Sequence, residues 1–142
     1  MPIMGVEWRE SLAIGVEVID NQHKELIRRF DRLLNACQEG KGVEELNKLQ
    51  LFLVEYVNTH FNDEEAIQIK HRYPGYEAHR SEHISFTERL NKLNLETEAE
   101  GVSAYHVVET NSMLLKWLLN HISKVDAELG TFLKSGQCCP VS

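Results

Sequence analysis

The chain has 142 residues, 42% hydrophobic and 26% charged, enough for one domain around one core and too apolar for a disordered chain. Its formal net charge of -7, with no cluster of Lys or Arg, sets a nucleic-acid partner aside, because affinity for a phosphate backbone rests on cationic side chains that displace counterions. No apolar run reaches the roughly 20 residues that cross a bilayer, and "MPIMGVEWRE" lacks a basic stretch followed by an apolar one. The expectation is a cytoplasmic protein with no membrane insertion.

Strand signals are nearly absent, so the expected fold class is all-α. The clearest extended candidate is "SLAIGVEVI", inside an N-terminal arm assigned to residues 1–19 and expected to pack over the bundle. The first helix is expected to begin at Asp20 or Asn21, either of which can cap it, and to carry an apolar stripe through Ile27, Phe30, Leu34 and Cys37 until "EGKG" ends it. His23 extends that stripe by one turn. The second helix runs from about Val43 to Lys70 with Leu46, Leu49, Leu53, Tyr56 and Ile67 inward, and "RYPGY" stops it. His60 and Glu64 lie on its inward face.

The third helix, about Tyr76 to Leu95, buries Phe86, Leu90 and Leu93, and its stripe runs back through His83 and His79. After a loop at "ETEAEGVS", a fourth helix from about Ala104 to Leu133 turns Val107, Leu114, Leu118 and Val125 inward, with His121 on the same stripe. Residues 20–133 form the bundle and 134–142 a tail. The cysteines, Cys37 and the adjacent Cys138 and Cys139, make neither an even disulfide framework nor a CxxC pair. Cys37 is expected as a small buried hydrophobe, and the tail pair leaves a redox or metal role open.

Four helices with short connections stack as an up-down-up-down antiparallel bundle. The start of one helix then lies level with the end of the next, so His23, His60, Glu64, His79, His83, His121 and Asp126 converge toward one end of the core. A lone histidine on an apolar face is ordinarily a core residue held by one hydrogen bond. Burying five imidazoles and two carboxylates together, however, leaves polar groups unsatisfied at about 1–3 kcal/mol each, and more for an ionised carboxylate. A metal accepts those lone pairs directly.

Residues four apart lie one above the other on a helix, so His60 with Glu64 and His79 with His83 reach a common centre. His121 and Asp126 are five apart, about 140° round an ideal helix; either one reaches across to a neighbouring metal or the helix is locally irregular. Seven donors exceed the four that a tetrahedral zinc takes, so two metals are the natural reading. With both carboxylates bridging, the imidazoles divide three and two, and the poorer metal keeps an open position for a small molecule. Imidazole with bridging carboxylate favours two irons, with zinc and manganese still open.

These residues resemble a known family. Trp8, "IGVEVIDNQHKELI", "HFNDEE", "YPGYEAHRSEH" and "WLLNHISKVD" are similar to the single-domain bacterial hemerythrins over about residues 8 to 130. The resemblance implies an antiparallel four-helix bundle holding two iron ions, a non-haem di-iron centre with an oxo or hydroxo bridge that binds dioxygen reversibly at one iron. It implies that His79, His83 and His121 hold the first iron, His23 and His60 the second, and that Glu64 and Asp126 bridge. It also implies that Leu118 lines the dioxygen pocket, with Trp117, Phe61 and Phe86 as walls that exclude water. Gln68 stands where many relatives have Met, and the "GQCCPVS" tail lies outside the pattern.

Asp20 and Gln22 are candidates to hydrogen-bond a ligand imidazole, although helix capping is the simpler role for Asp20. His71 and His106 match no ligand position and are expected on the solvent side. The expected function is oxygen carriage, storage or delivery to an oxidase, with no enzymatic activity. The alternatives are an oxygen or redox sensor acting through a signalling partner, and a di-iron enzyme acting on dioxygen, peroxide or nitric oxide. Di-iron oxygenases of the ferritin-like type use Glu-x-x-His motifs, and here no Glu stands three residues before a His.

Overall fold

A computed structural model describes residues 7–135, so Cys138 and Cys139 lie outside the described residues. All regular structure in it is helical: a 3-10 turn, Glu10–Leu12, then α1, Glu17–Gln38; α2, Gly42–Lys70; α3, Tyr76–Glu100; and a last helix in three runs. Those runs are α4, Ala104–Lys116, a π-helical segment, Trp117–Val125, and α5, Asp126–Lys134. The backbone stays right-handed helical at Trp117 and Asp126, where one run passes into the next, so they form one continuous rod. The architecture is the expected all-α, antiparallel four-helix bundle; of the arm assigned to residues 1–19, residues 1–6 lie outside the described residues and the chain from Glu17 onward is already α1.

Helix α1 starts three residues before Asp20, which therefore does not cap it. Asp20 sits in the first turn, and its carboxylate accepts the Ile14 N–H at 2.8 Å and the Gly15 N–H at 3.2 Å. Ile14 is buried and its amide needs an acceptor, and serving it together with the exposed Gly15 N–H takes the Asp20 side chain from the cap and from any ligand imidazole. Ile14 then packs with Ile19 and Leu129 in a small apolar cluster. The approach is close enough that a Cβ on Gly130 would stand 2.9 Å from Ile14 Cβ and 3.0 Å from its Cα.

The buried stripe of α1 passes through Ile19, His23, Leu26, Ile27, Phe30, Leu33 and Ala36. Leu34 and Cys37 are only half-buried, because the 3.6-residue repeat carries the stripe onto Leu33 and Ala36 by the third turn. Ile67 and Val125 are likewise half-buried. Helix α3 runs past Leu95 to Glu100, so most of the expected loop is helix. Glu96, Glu98 and Ala99 are good helix formers, and Thr97 is anchored by an N–H from Gln50 at 3.1 Å. The helix stops only at Gly101, whose φ of 78° favours glycine.

His106 is buried, contrary to the expectation of a solvent-side residue; it closes a capping box on α4, its Nδ1 accepting the Ser103 N–H at 3.1 Å. His71 is half-buried where α2 ends. The main apolar cluster includes Leu26, Phe30, Leu53, Tyr56, Phe61, Phe86, Trp117 and Ile122. Between it and the smaller cluster of Ile14, Ile19 and Leu129 lies one polar layer. All four helices contribute to that layer: α1 through His23, α2 through His60 and Glu64, α3 through His79 and His83, and the last helix through His121 and Asp126.

Candidate metal centre

All seven of these side chains are buried, at 0–2% exposure. Their donor atoms fall into two groups, each within 4.8 Å: Glu64 with His79, His83 and His121, and His23, His60, Glu64 and Asp126. Glu64 belongs to both. Its Oε1 stands 2.6 Å from His79 Nε2 and 3.0 Å from His83 Nε2, while its Oε2 lies 3.5 Å from His60 Nε2 and 3.9 Å from His23 Nε2. Asp126 divides its oxygens the same way, with Oδ1 2.8 Å from His79 and 3.1 Å from His121, and Oδ2 3.0 Å from His23. Each carboxylate therefore presents one oxygen to each group of imidazoles.

The π segment resolves the five-residue spacing of His121 and Asp126. A π turn bonds residue i to residue i+5, so residues five apart come close to lying one above the other. The local helix irregularity, of the two readings the spacing left open, is the one observed.

Polar side chains around the layer orient the rings. His60 Nδ1–H donates to Gln22 Oε1 at 2.6 Å, and Gln22 Nε2–H donates to Asp63 at 2.7 Å. His83 Nδ1–H donates to Glu65 at 2.8 Å and His121 Nδ1–H to Glu82 at 3.1 Å. A ring that donates through Nδ1 keeps the Nε2 lone pair for the centre. Gln68 meets His79 Nδ1 through its Nε2 at 3.0 Å while its Oε1 has no partner. Turning that amide end for end gives the acceptor that ligation through His79 Nε2 requires.

Aromatic rings close the side toward the main core. Phe61 stacks on His83 with centroids 3.9 Å apart, Trp117 on His121 at 3.7 Å, and Tyr56 on His60 at 4.8 Å. Leu118 is half-buried against the same apolar cluster. A cavity of about 410 Å³ between α3 and the last helix reaches Glu82, Phe86, Trp117 and His121 from outside.

Sequence reasoning did not single out Glu65, Glu82 or Gln68 as orienting groups. Their signal was positional: Glu65 follows Glu64, Glu82 precedes His83, and Gln68 stands four residues after Glu64. Tyr56, read only as core, stands one turn before His60, with its hydroxyl buried and without a hydrogen-bond partner among the described residues.

Burial drives His60 down to about 3, so its ring is neutral. Burial also opposes charge on His79 and His121, yet Asp126 and Glu64 outweigh it and raise them to about 9 and about 10. Burial pushes Glu64 and Asp126 upward, and the charge of Asp126 adds to this at Glu64, but hydrogen bonds from the imidazoles, joined at Asp126 by the charge of His121, hold both below the usual carboxylate range. Protons on the imidazoles thus neutralise buried carboxylates in the metal-free chain. They do so incompletely: among the described residues, both nitrogens of His23, His60 Nε2, Glu64 Oε2 and both Asp126 oxygens have no aligned hydrogen bond. Cations between the rings would satisfy these groups, and an all-imidazole and carboxylate donor set without thiolate suits first-row divalent metals.

Residues 14–133 match the family model described as "Hemerythrin HHE cation binding domain". Among curated proteins, the chain is 33% identical over 121 residues to a bacteriohemerythrin of Pseudomonas paraeruginosa, covering 84% of this chain and 76% of that one. It is 30% identical over 139 residues to a bacteriohemerythrin of Stenotrophomonas maltophilia, covering 92% and 88%. A myohemerythrin of Sipunculus nudus is 25% identical over 119 residues, covering 84% and 86%.

Proposed function

The chain belongs to the hemerythrin HHE cation-binding family, and from that premise we propose that it binds dioxygen reversibly at a pair of irons. In this reading His79, His83 and His121 hold one iron, His23 and His60 hold the other, and Glu64 and Asp126 bridge them. The observation that carries the reading is the way each carboxylate divides its oxygens between the two groups of imidazoles. A pair of ferrous ions with one open position supplies the electrons and the coordination site that reversible dioxygen binding needs.

The protein's contribution is arrangement and exclusion. His79, His83 and His121 with two carboxylate oxygens give one metal five donors, while His23 and His60 give the other four. With two irons bound in this way, a position left open for dioxygen would fall on the His23 and His60 side. Gln22, Glu65 and Glu82 hold the rings through Nδ1 and so fix which nitrogen faces inward. In this reading Tyr56, stacked on His60, and Phe61, tilted against it, wall the open side, while Trp117 on His121 and Leu118 in the adjoining apolar cluster keep bulk water from the irons. Tyr56 is held protonated by burial and by the nearby carboxylates, and it offers the only hydroxyl among these core-side residues.

The physiological role in this reading is carriage, storage or delivery of oxygen rather than catalysis. The test is metal content with the visible spectrum, recorded anaerobically, after adding oxygen and after removing it. Two irons per chain and a charge-transfer band that comes and goes with oxygen are expected. A centre that oxidises once and stays ferric would overturn reversible binding in favour of sensing or turnover.

A further inference from the structure

Helix α4 and the first turn of the π segment carry a second apolar stripe, on the side away from the core formed by the described residues. Tyr105, Val108, Leu115 and Leu119 are 61%, 63%, 46% and 59% exposed. With Ser112 they are spaced three, four, three and four, which is the a and d pattern of a coiled-coil seam. At 100° per residue the members within α4, Tyr105, Val108, Ser112 and Leu115, fill an arc about 80° wide, centred about 180° from the buried face of His106, Val107, Thr110, Met113 and Leu114, and Leu119 continues them in the first turn of the π segment. The outward face of a lone four-helix bundle has no structural need of such spacing.

We infer that this face pairs with the same face of a second copy, as an antiparallel two-helix contact with its two-fold axis at Ser112. Reversing the helix about Ser112 sets Tyr105 level with Leu119 of the other copy, and Val108 beside Leu115 of the other copy. Ser112 meets itself at the crossing, where a small side chain lets the helices approach. The charges obey the same reversal. In a seam with Tyr105 at a, both Glu109 and Lys116 occupy e, and antiparallel coiled coils set e against e.

Glu109 of one copy thus faces Lys116 of the other, twice by symmetry, and neither makes an ion pair among the described residues. An unrelated partner would not require the helix to be complementary to its own reversal; an isologous contact does. A contact of four turns lies at the small end of specific interfaces, so the dimer depends on concentration. The inference is independent of what the metal centre binds.

Sedimentation of the full, iron-loaded chain over about a hundredfold range of concentration should show monomer passing to dimer. Glu109→Lys and Lys116→Glu, each creating two like-charge contacts, should each weaken the dimer about tenfold. The double variant should recover it, and an equimolar mixture of the two single variants should form the mixed dimer preferentially, read by native mass spectrometry. Val108→Asp, at the centre of the seam, should abolish the dimer while helicity and iron content stay unchanged. A chain that is monomeric at every concentration would overturn the inference. So would a dimer indifferent to these changes, or single reversals that the double variant fails to rescue.

Discussion

Asp126 Oδ1 stands 3.1 Å from His121 Nε2 although the two residues are five apart, because the helix between them is wound as π. The same carboxylate reaches His23 through Oδ2 at 3.0 Å. If Asp126 bridges two metals, Asp126→Ala should lower iron below two per chain while far-UV circular dichroism is kept. Moving the carboxylate one residue earlier, with Val125→Asp added to Asp126→Ala, should not restore loading, since Val125 is only half-buried beside the layer whereas Asp126 is fully buried within it. Recovery of two irons in that double variant would mean that the segment carries metal as an ordinary α-helix.

The bundle and the convergence of its histidines were legible because both follow from register. Stripes at the helical repeat locate the inward faces, and antiparallel stacking brings His23, His60, His79 and His121 to one level. The π segment was only half legible: the odd spacing to Asp126 signals something irregular, but winding depends on packing around the whole rod. Asp20 was read as a cap because its sequence position suits one; only the fold reveals that the buried Ile14 amide needs an acceptor. The length of α3 and the burial of His106 were lost to the same rule. A polar stretch such as "ETEAEGVS" reads as loop until the helix it extends is seen to have a neighbour, here Gln50 bonded to Thr97.

Gln22 is the link by which α1 orients His60, and Asp63 in turn holds its amide. Gln22→Leu keeps the side-chain bulk but removes the acceptor for His60 Nδ1–H. Loss of such a partner ordinarily costs about 10–100-fold in metal affinity. Chelator competition should therefore show one of the two metals leaving more readily, with the other unchanged. Equal weakening of both, or of neither, would show that Gln22 does not act through His60.

Gly130 is required by contact. Ala at this position would set its methyl carbon 2.9 Å from Ile14 Cβ and 3.2 Å from the Ile14 carbonyl oxygen. Neither can yield easily, since the Ile14 N–H is held by Asp20 and its side chain is buried between Ile19 and Leu129. Gly130→Ala should cost about 1–3 kcal/mol by overcrowding, outweighing the helix propensity it gains. Urea denaturation of the metal-free protein measures this, and a variant as stable as its parent would mean that the arm does not dock on α5.

The two ends of the pH scale act on different imidazoles of the metal-free protein. His79 and His121 are raised to about 9 and about 10 from an ordinary 6.5, so the stability they contribute is complete below 6.5 and is lost as the pH rises through 9 and 10. His60 is lowered to about 3, so below 6.5 the unfolded chain binds a proton that the folded chain refuses, and stability falls toward acid. Glu64 and Asp126, both lowered, lose their contributions in the same acid direction. Stability of the metal-free chain should therefore be greatest near neutrality and decline on both sides. If His79 and His121 ligate metal as proposed, they would hold it in place of protons, which would remove the alkaline loss and make loading at mildly alkaline pH release protons. Urea midpoints measured against pH, with and without metal, separate the two cases: an alkaline decline confined to the metal-free protein is expected. Parallel profiles would mean that these two rings do not exchange protons for metal.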